Sequence, residues 1–316
     1  MTSIVTNASA ISALSTLRSI SSNMETTQAH ISSGLKVGAA KDNAAYWSIA
    51  TTMKSDDRAL SSVQDALGLA AAKTDTAYNG LDTTIDIVST IKAKLTAARE
   101  PGADKDKINK ELTELKNQIV STAQSSSFSG ENWLYNATGS TGTKTMVGSF
   151  TRSTTGVSIG TISFDASKSV IVDKVAANNG ALTKGVAGYN AAGTSANFFL
   201  INASSSTAAT TGTEVTISSG TSDSSVEQMV SAVDTMLQGL TDVASQLGAI
   251  NSRIDTQNGF VKDLRDTITK GVGRLVDADM NEESTKLKAL QTQQQLGIQA
   301  LSIANSSADS VLSLFR

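Results

Sequence analysis

Ile11-Ser-Ala-Leu-Ser-Thr-Leu-Arg-Ser-Ile20 sets apolar residues three apart on a ground of Ser, Thr and Ala, with Arg18 as its one charge. Working outward, the stripe takes in Ile4, Ile11, Leu14, Leu17, Ile20, Met24 and Ile31, the three- and four-residue recurrence of one helix face. Arg18 and Glu25 are the only Asp, Glu, Lys or Arg residues from Met1 to Leu35. The other end of the chain repeats the pattern through Met280, Leu287, Leu290, Ile298, Leu301, Ala308, Leu312 and Phe315, and only Asp309 and Arg316 are charged from Ala289 onward. A helix with no strongly solvated side suits a position with protein neighbours all round. The two ends therefore predict assembly.

The rest of the composition agrees. Aromatic residues make up 4% of 316, too few for one large globular core, whereas the abundant small residues suit close helix approach. A net charge of −3 with scattered Lys and Arg excludes a nucleic-acid footprint. The absence of cysteine removes disulfides, thiolate nucleophiles and Cys-ligated metals. No apolar run approaches the length a membrane span needs, and no basic segment followed by an apolar stretch marks a cleaved signal peptide. The expected partners are protein alone, with no nucleic acid and no membrane.

Two glycines within five residues, Gly34 and Gly38, interrupt the first stripe, and a second helical run then extends to Glu100-Pro101-Gly102, where the only proline ends it. Asp104 or Asp106 can cap the next helix, whose flanks offer Lys107 with Glu111 and Lys110 with Glu114 as i,i+4 pairs. Near Ser125 the chain turns to Ser, Gly and Thr with short β-branched runs at 144–151, 157–164, 169–172, 197–202 and 214–218. Helix resumes at Ser224, where Ser224 and Glu227 read as a capping box. Gly271-Val-Gly273 reads as a second connector, and Asp279 with Glu282 as the cap of the last helix.

The layout is palindromic. It predicts a mainly α fold with a β-rich insert: an elongated antiparallel helical bundle or coiled coil formed by the N- and C-terminal segments, with a small β domain at the far tip. The segments are 1–45 (terminal helix and connector), 46–134 (helical domain), 135–223 (β-rich domain), 224–270 (helical domain, second part) and 271–316 (connector and C-terminal helix). Two terminal helices alone bury little, so both ends are expected to be disordered in a free subunit and to fold on assembly.

The segment Ser32-Ser-Gly-Leu-Lys-Val-Gly-Ala-Ala-Lys-Asp-Asn-Ala-Ala45 and the ending Val311-Leu-Ser-Leu-Phe-Arg316 resemble the hallmarks of bacterial flagellin. The run Asp42-Asn-Ala-Ala-Tyr-Trp-Ser-Ile-Ala50 is similar to flagellins of plant- and soil-associated bacteria. The resemblance implies a structural subunit that self-assembles into the flagellar filament for swimming motility. The terminal helices would form an inner tube, the flanking helices an outer tube, and residues 135–223 the variable surface. It further implies an extracellular location, type III export without a cleaved signal peptide, and as partners copies of itself and other flagellins, an export chaperone, the filament cap and hook-junction proteins. Alternatives within reach are a hook–filament junction protein of the same architecture and a flagellin with an enzyme in its insert. The assembly interface is expected at Ile4, Ile11, Leu14, Leu17, Ile20, Met24, Ile31, Leu287, Leu290, Ile298, Leu301, Leu312 and Phe315.

The segment aligned with the part of flagellins that vertebrate innate receptors recognise reads Thr90-Ile-Lys-Ala-Lys-Leu95, placing Thr90, Ala93 and Lys94 where recognised relatives carry an arginine and an adjacent Glu-Leu pair. Loss of such contacts implies weak or absent receptor activation. No catalytic, cofactor-binding or metal site is expected. His30, the only histidine, reads as an interface residue, and the acids Asp277, Asp279, Glu282 and Glu283 fit helix capping better than a cation cage.

Overall fold

Helix α1 (Ala8–Ser33) begins where the Asn7 side chain accepts the Ala10 N–H at 3.0 Å, and it stops at Gly34, whose N–H still reaches the His30 carbonyl while its φ of 73° turns the chain out of the helix. A computed structural model gives this fold and describes residues 6–139, 142–154, 156–203 and 212–313, with side chains as far as residue 306. After α1 come α2 (Ala44–Ala97) and α3 (Lys105–Ser125). Nine short strands follow among the described residues: β1 (Ser127–Phe128), β2 (Glu131–Asn132), β3 (Tyr135–Asn136), β4 (Thr143–Ser153), β5 (Gly156–Asp165), β6 (Val172–Asp173), β7 (Val186–Tyr189), β8 (Ser195–Phe199) and β9 (Thr213–Glu214). Helices α4 (Asp223–Val276) and α5 (Met280–Ser313) complete the order. The chain divides into two compact units, one reaching Arg58 and resuming at Leu264, the other Ala59–Asp263.

In the Ala59–Asp263 unit the apolar stripes read from the sequence are inward. Leu81, Ile91 and Leu95 of α2, Leu112 and Ile119 of α3, and Leu240 of α4 are all buried. Lys92 meets Asp234 at 2.6 Å across α2 and α4, and Lys94 meets Glu111 at 2.6 Å across α2 and α3. Lys107 turns back to Asp104, which also caps α3 by accepting the Lys107 N–H at 3.1 Å. The predicted Lys107–Glu111 pair is therefore replaced on both sides, because a neighbouring helix and a cap offer each group a partner.

The β-rich segment packs into this unit. Strands β4 and β5 form an antiparallel hairpin with a bulge between Val147 and Ser149, and β7, β8 and β9 form a three-stranded sheet in which β9 joins parallel to β8. The Phe164 ring of β5 stacks on Trp133 at 5.3 Å. Lys116 of α3 reaches Glu214 Oε1 at 2.8 Å and the Val215 carbonyl at 2.5 Å. Gly188 of β7 lies so close to α4 that a Cβ there would stand 1.8 Å from the Gln228 carbonyl oxygen. Strands already start at Ser127, ahead of the boundary at 135, and β7 was not legible as a β-branched run.

Two details at α4 differ from expectation. Its cap is Ser222, whose Oγ accepts the Ser225 N–H at 3.2 Å, two residues earlier than the Ser224–Glu227 box. At its other end α4 runs through Gly271 and Gly273 to Val276, so the predicted Gly271-Val-Gly273 connector is helix and the break falls after Val276. A Cβ on Gly271 would stand 3.2 Å from Met53 Cε, and one on Gly273 would stand 2.6 Å from Asp277 Oδ2. Both neighbouring atoms are the far ends of flexible side chains, and each glycine costs the helix interior about 1 kcal/mol relative to alanine.

Candidate assembly interface

Within the first unit, the hallmark loop 34–43 is held by its own side chains and by the end of α4. Asp42 Oδ2 accepts the N–H groups of Ala39 (2.9 Å) and Gly38 (3.0 Å), and those two bonds, the Ala39 one foremost, hold its carboxyl below the usual range. Asn43 Oδ1 accepts the Tyr46 N–H at 3.1 Å and so caps α2. The Lys36 and Val37 N–H groups both reach the Val276 carbonyl, at 2.8 and 3.3 Å, and Ala278 N–H reaches Gly34 O at 2.9 Å. Beneath them Val37, Ala50, Val272 and Val276 form a small buried cluster.

Helices α1 and α5 pack antiparallel. Asn7 Nδ2 donates to the Ala304 carbonyl at 2.9 Å, Leu17 and Ile20 face Gly297, and His30 Nδ1 lies 3.0 Å from Glu283 Oε1. Half-buried or buried positions recur alternately by three and four: Ala10, Ala13, Leu17, Ile20, Met24, Thr27 and Ile31 on α1, and Glu283, Leu287, Leu290, Gln294, Gly297, Leu301 and Ala304 on α5. This is the seam of a coiled coil. It is built largely from small and polar residues, with Thr27 1% exposed and Leu290 7%.

The predicted interface residues thus fall into two sets. Leu17, Ile20, Met24, Ile31, Leu287, Leu290 and Leu301 line the α1–α5 seam. Ile11, Leu14 and Ile298 point away from it, at 58%, 37% and 55% exposure, beside Leu296 and Ile303 at 58% and 69%. Ile4 and Phe315, and the side chain of Leu312, lie outside the described residues. Sequence reading missed the seam's Ala10, Ala13, Thr27, Glu283, Gln294, Gly297 and Ala304. Strict alternation of three and four across both ends was the signal that held them.

His30 and the acidic group also find their places. His30 pairs with Glu283, while Asp279 Oδ1 caps α5 by accepting the N–H groups of Asn281 (2.9 Å) and Glu282 (3.3 Å). On α2, Thr90 and Ala93 are exposed and Lys94 is drawn to Glu111.

Comparison with known families decides what this arrangement belongs to. The model of the bacterial flagellin N-terminal helical region matches residues 4–139, and that of the bacterial flagellin C-terminal helical region matches residues 230–315. The chain belongs to the bacterial flagellin family. Over the whole of both chains it is 57% identical to Flagellin C and 46% identical to Flagellin A of Rhizobium meliloti (strain 1021), and 42% identical to a flagellin of Brucella melitensis biotype 1. The part of this flagellin that neither helical model covers coincides with most of the β-rich segment, while the α1–α5 seam and the hallmark loop lie wholly within the matched regions.

Proposed function

We propose that this flagellin works by burying the outward apolar residues of α1 and α5 against neighbouring copies of itself. It is a structural subunit of the bacterial flagellar filament, acts outside the cell and serves swimming motility. The observation that carries the assembly mechanism is the pairing of a covered inner seam with an uncovered outer face: Ile11, Leu14, Leu296, Ile298 and Ile303 remain exposed on stretches, 8–33 and 289–306, in which Arg18 and Glu25 are the only Asp, Glu, Lys or Arg residues. Burial of such surface contributes about 25 cal/mol per Å², spread over many neighbours.

In this reading the segments 1–45 and 271–316 line the inner tube, 46–134 and 224–270 the outer tube, and 135–223 the exposed surface. Export through a type III apparatus without a cleaved signal peptide, delivery by a chaperone, and growth beneath a cap beyond the hook-junction proteins follow from the same reading. The test is electron microscopy of heat-dissociated protein returned to mild salt with short filament seeds, beside a variant lacking residues 1–35. Long tubes from the intact chain alone support the mechanism; tubes from both samples count against it.

A second reading concerns Thr90, Ala93 and Lys94. Two small exposed side chains and a lysine held by Glu111 offer neither the guanidinium fork nor the bulky apolar contact that an interface hot spot uses. Weak activation of vertebrate flagellin receptors follows.

A further inference from the structure

Asparagine followed by glycine is a chemically weak point in a protein chain, because glycine has no side chain to hinder its nitrogen from attacking the asparagine side-chain carbonyl. The sequence places this pair at Asn79-Gly80, Asn179-Gly180 and Asn258-Gly259. The first and last lie inside α2 and α4, where the glycine N–H belongs to the helix ladder and the backbone must open before that nitrogen can turn toward the side chain. Asn179 is instead exposed in a turn between β6 and β7, and no hydrogen bond ties its side chain among the described residues. The Gly180 N–H has no hydrogen-bond partner among them either. By contrast the Asn179 N–H, the nitrogen that Asn178 would need for the same reaction, donates to the Ala176 carbonyl at 2.9 Å. Packing also demands glycine at 180, since a Cβ there would stand 2.7 Å from the Asp173 nitrogen and 3.0 Å from the Ile171 carbonyl oxygen. The fold thus retains the one neighbour that most favours attack on Asn179.

We infer that Asn179 is a site of spontaneous deamidation and isomerisation, at which the chain gains a carboxylate and, in part of its copies, a rerouted backbone. The Gly180 nitrogen bonds to Asn179 Cγ and gives up its proton, the Cγ–Nδ2 bond breaks, and the amide group leaves with that proton as ammonia. The resulting succinimide then takes up one water. Cleavage between the ring nitrogen and Cγ leaves an ordinary aspartate. Cleavage between that nitrogen and the backbone carbonyl carbon of residue 179 leaves isoaspartate, with Gly180 joined through Cγ and one more carbon in the main chain. The net change is one water gained and one ammonia lost, with no change of oxidation state. The two products differ in what they do to the turn. It is closed by the Ala181 N–H on the Val170 carbonyl at 2.8 Å, the Leu182 N–H on the Ile171 carbonyl at 3.0 Å and the buried Thr183 hydroxyl on the Ala177 carbonyl at 2.7 Å. An added main-chain carbon shifts the two sides of the turn out of that register and leaves buried groups without partners, whereas aspartate only adds an exposed charge. Isoaspartate therefore loosens the β-rich segment around Asp173, and aspartate does not.

The experiment ages the full chain in warm, mildly alkaline buffer, both folded and in urea, and follows the tryptic peptides 74–92, 175–184 and 254–262 by mass spectrometry, with enzymatic methylation marking isoaspartate. In the folded chain, peptide 175–184 is expected to gain one dalton at least about tenfold faster than the other two, because the helical amides react only through local opening. In urea the three rates should draw together. Asn179→Gln, whose longer side chain closes its ring far more slowly, should leave peptide 175–184 unchanged. Aged chain enriched in isoaspartate should melt below the fresh chain, while Asn179→Asp melts with it. Conversion at Asn79 or Asn258 as fast as at Asn179 in the folded chain overturns the inference, as does a folded Asn179 that stays intact while it converts in urea. Rates in urea as unequal as the folded ones also overturn it, since flanking residues and not the fold would then rank the three pairs. Isoaspartate-bearing chain that melts like the fresh chain overturns the effect assigned to the turn.

Discussion

His30 Nδ1 and Glu283 Oε1, separated by 253 positions in the chain, meet at 3.0 Å and tie α1 to α5 near the inner end of their seam. Glu283 Oε2 is buried with no hydrogen-bond partner, so His30 is the group that keeps this carboxylate from being wholly unsatisfied. Replacing His30 with Ala is expected to destabilise the α1–α5 pair by about 1–2 kcal/mol, and Glu283→Gln, which keeps a polar partner, by less. Hydrogen exchange of the α1 amides reads this directly; equal protection in His30→Ala would contradict it.

Thr27 gives the opposite expectation. Its Oγ1 is buried in the seam with no partner, unlike Thr26, whose hydroxyl donates to the Ser22 carbonyl at 3.0 Å. Thr27→Val keeps the shape and removes an orphaned polar atom, so it is expected to leave the pair unchanged or stabilise it by up to ~1 kcal/mol. The same exchange measurement, showing lower protection in Thr27→Val, would reveal a partner for the hydroxyl.

Outward residues should separate assembly from folding. Ile11→Asp and Ile303→Asp place a charge where the free subunit is open to water, at 58% and 69% exposure, yet a neighbouring copy would have to desolvate it. Seeded growth should stop while the melting of the dissociated subunit stays as it was. Leu290→Asp, inside the seam, should instead weaken the α1–α5 pair itself, read by exchange of the α1 amides. Normal filaments from Ile11→Asp would remove the outward face from the interface.

Acid should open the hallmark loop. The Asp42 carboxyl is held below its ordinary value, first by the Ala39 N–H, so its bonds stabilise the folded loop fully above the unfolded carboxylate range and lose that contribution as pH falls through the lowered folded value. Exchange rates of the Gly38 and Ala39 amides, corrected for intrinsic pH dependence, should rise toward acid in the natural chain. Asp42→Asn should show raised exchange already near neutrality and no such acid step.

The α2 face at Thr90, Ala93 and Lys94 predicts at least a tenfold weaker response of receptor reporter cells than to a flagellin bearing the arginine and Glu-Leu contacts, a deficit equal to about 1.4 kcal/mol or more. Full response to this chain at the same concentration would show that the contact lies elsewhere.

Local signals were enough for much of this protein. Period fixed the helices, Asp104 and Asp279 their caps, Gly34 the end of α1, and β-branched alternation the β4–β5 hairpin, because each depends on residues within a few positions of one another. Tertiary structure decided which part of a broad apolar stripe is covered. Ile11 and Leu14 are as apolar as Leu17 and Ile20, yet only the latter pair faces α5, since the register between two helices some 280 residues apart is set by their combined packing and not by either sequence pattern alone. The same applies to His30 with Glu283, and to Gly271, which reads locally as part of a break and lies in three dimensions against Met53.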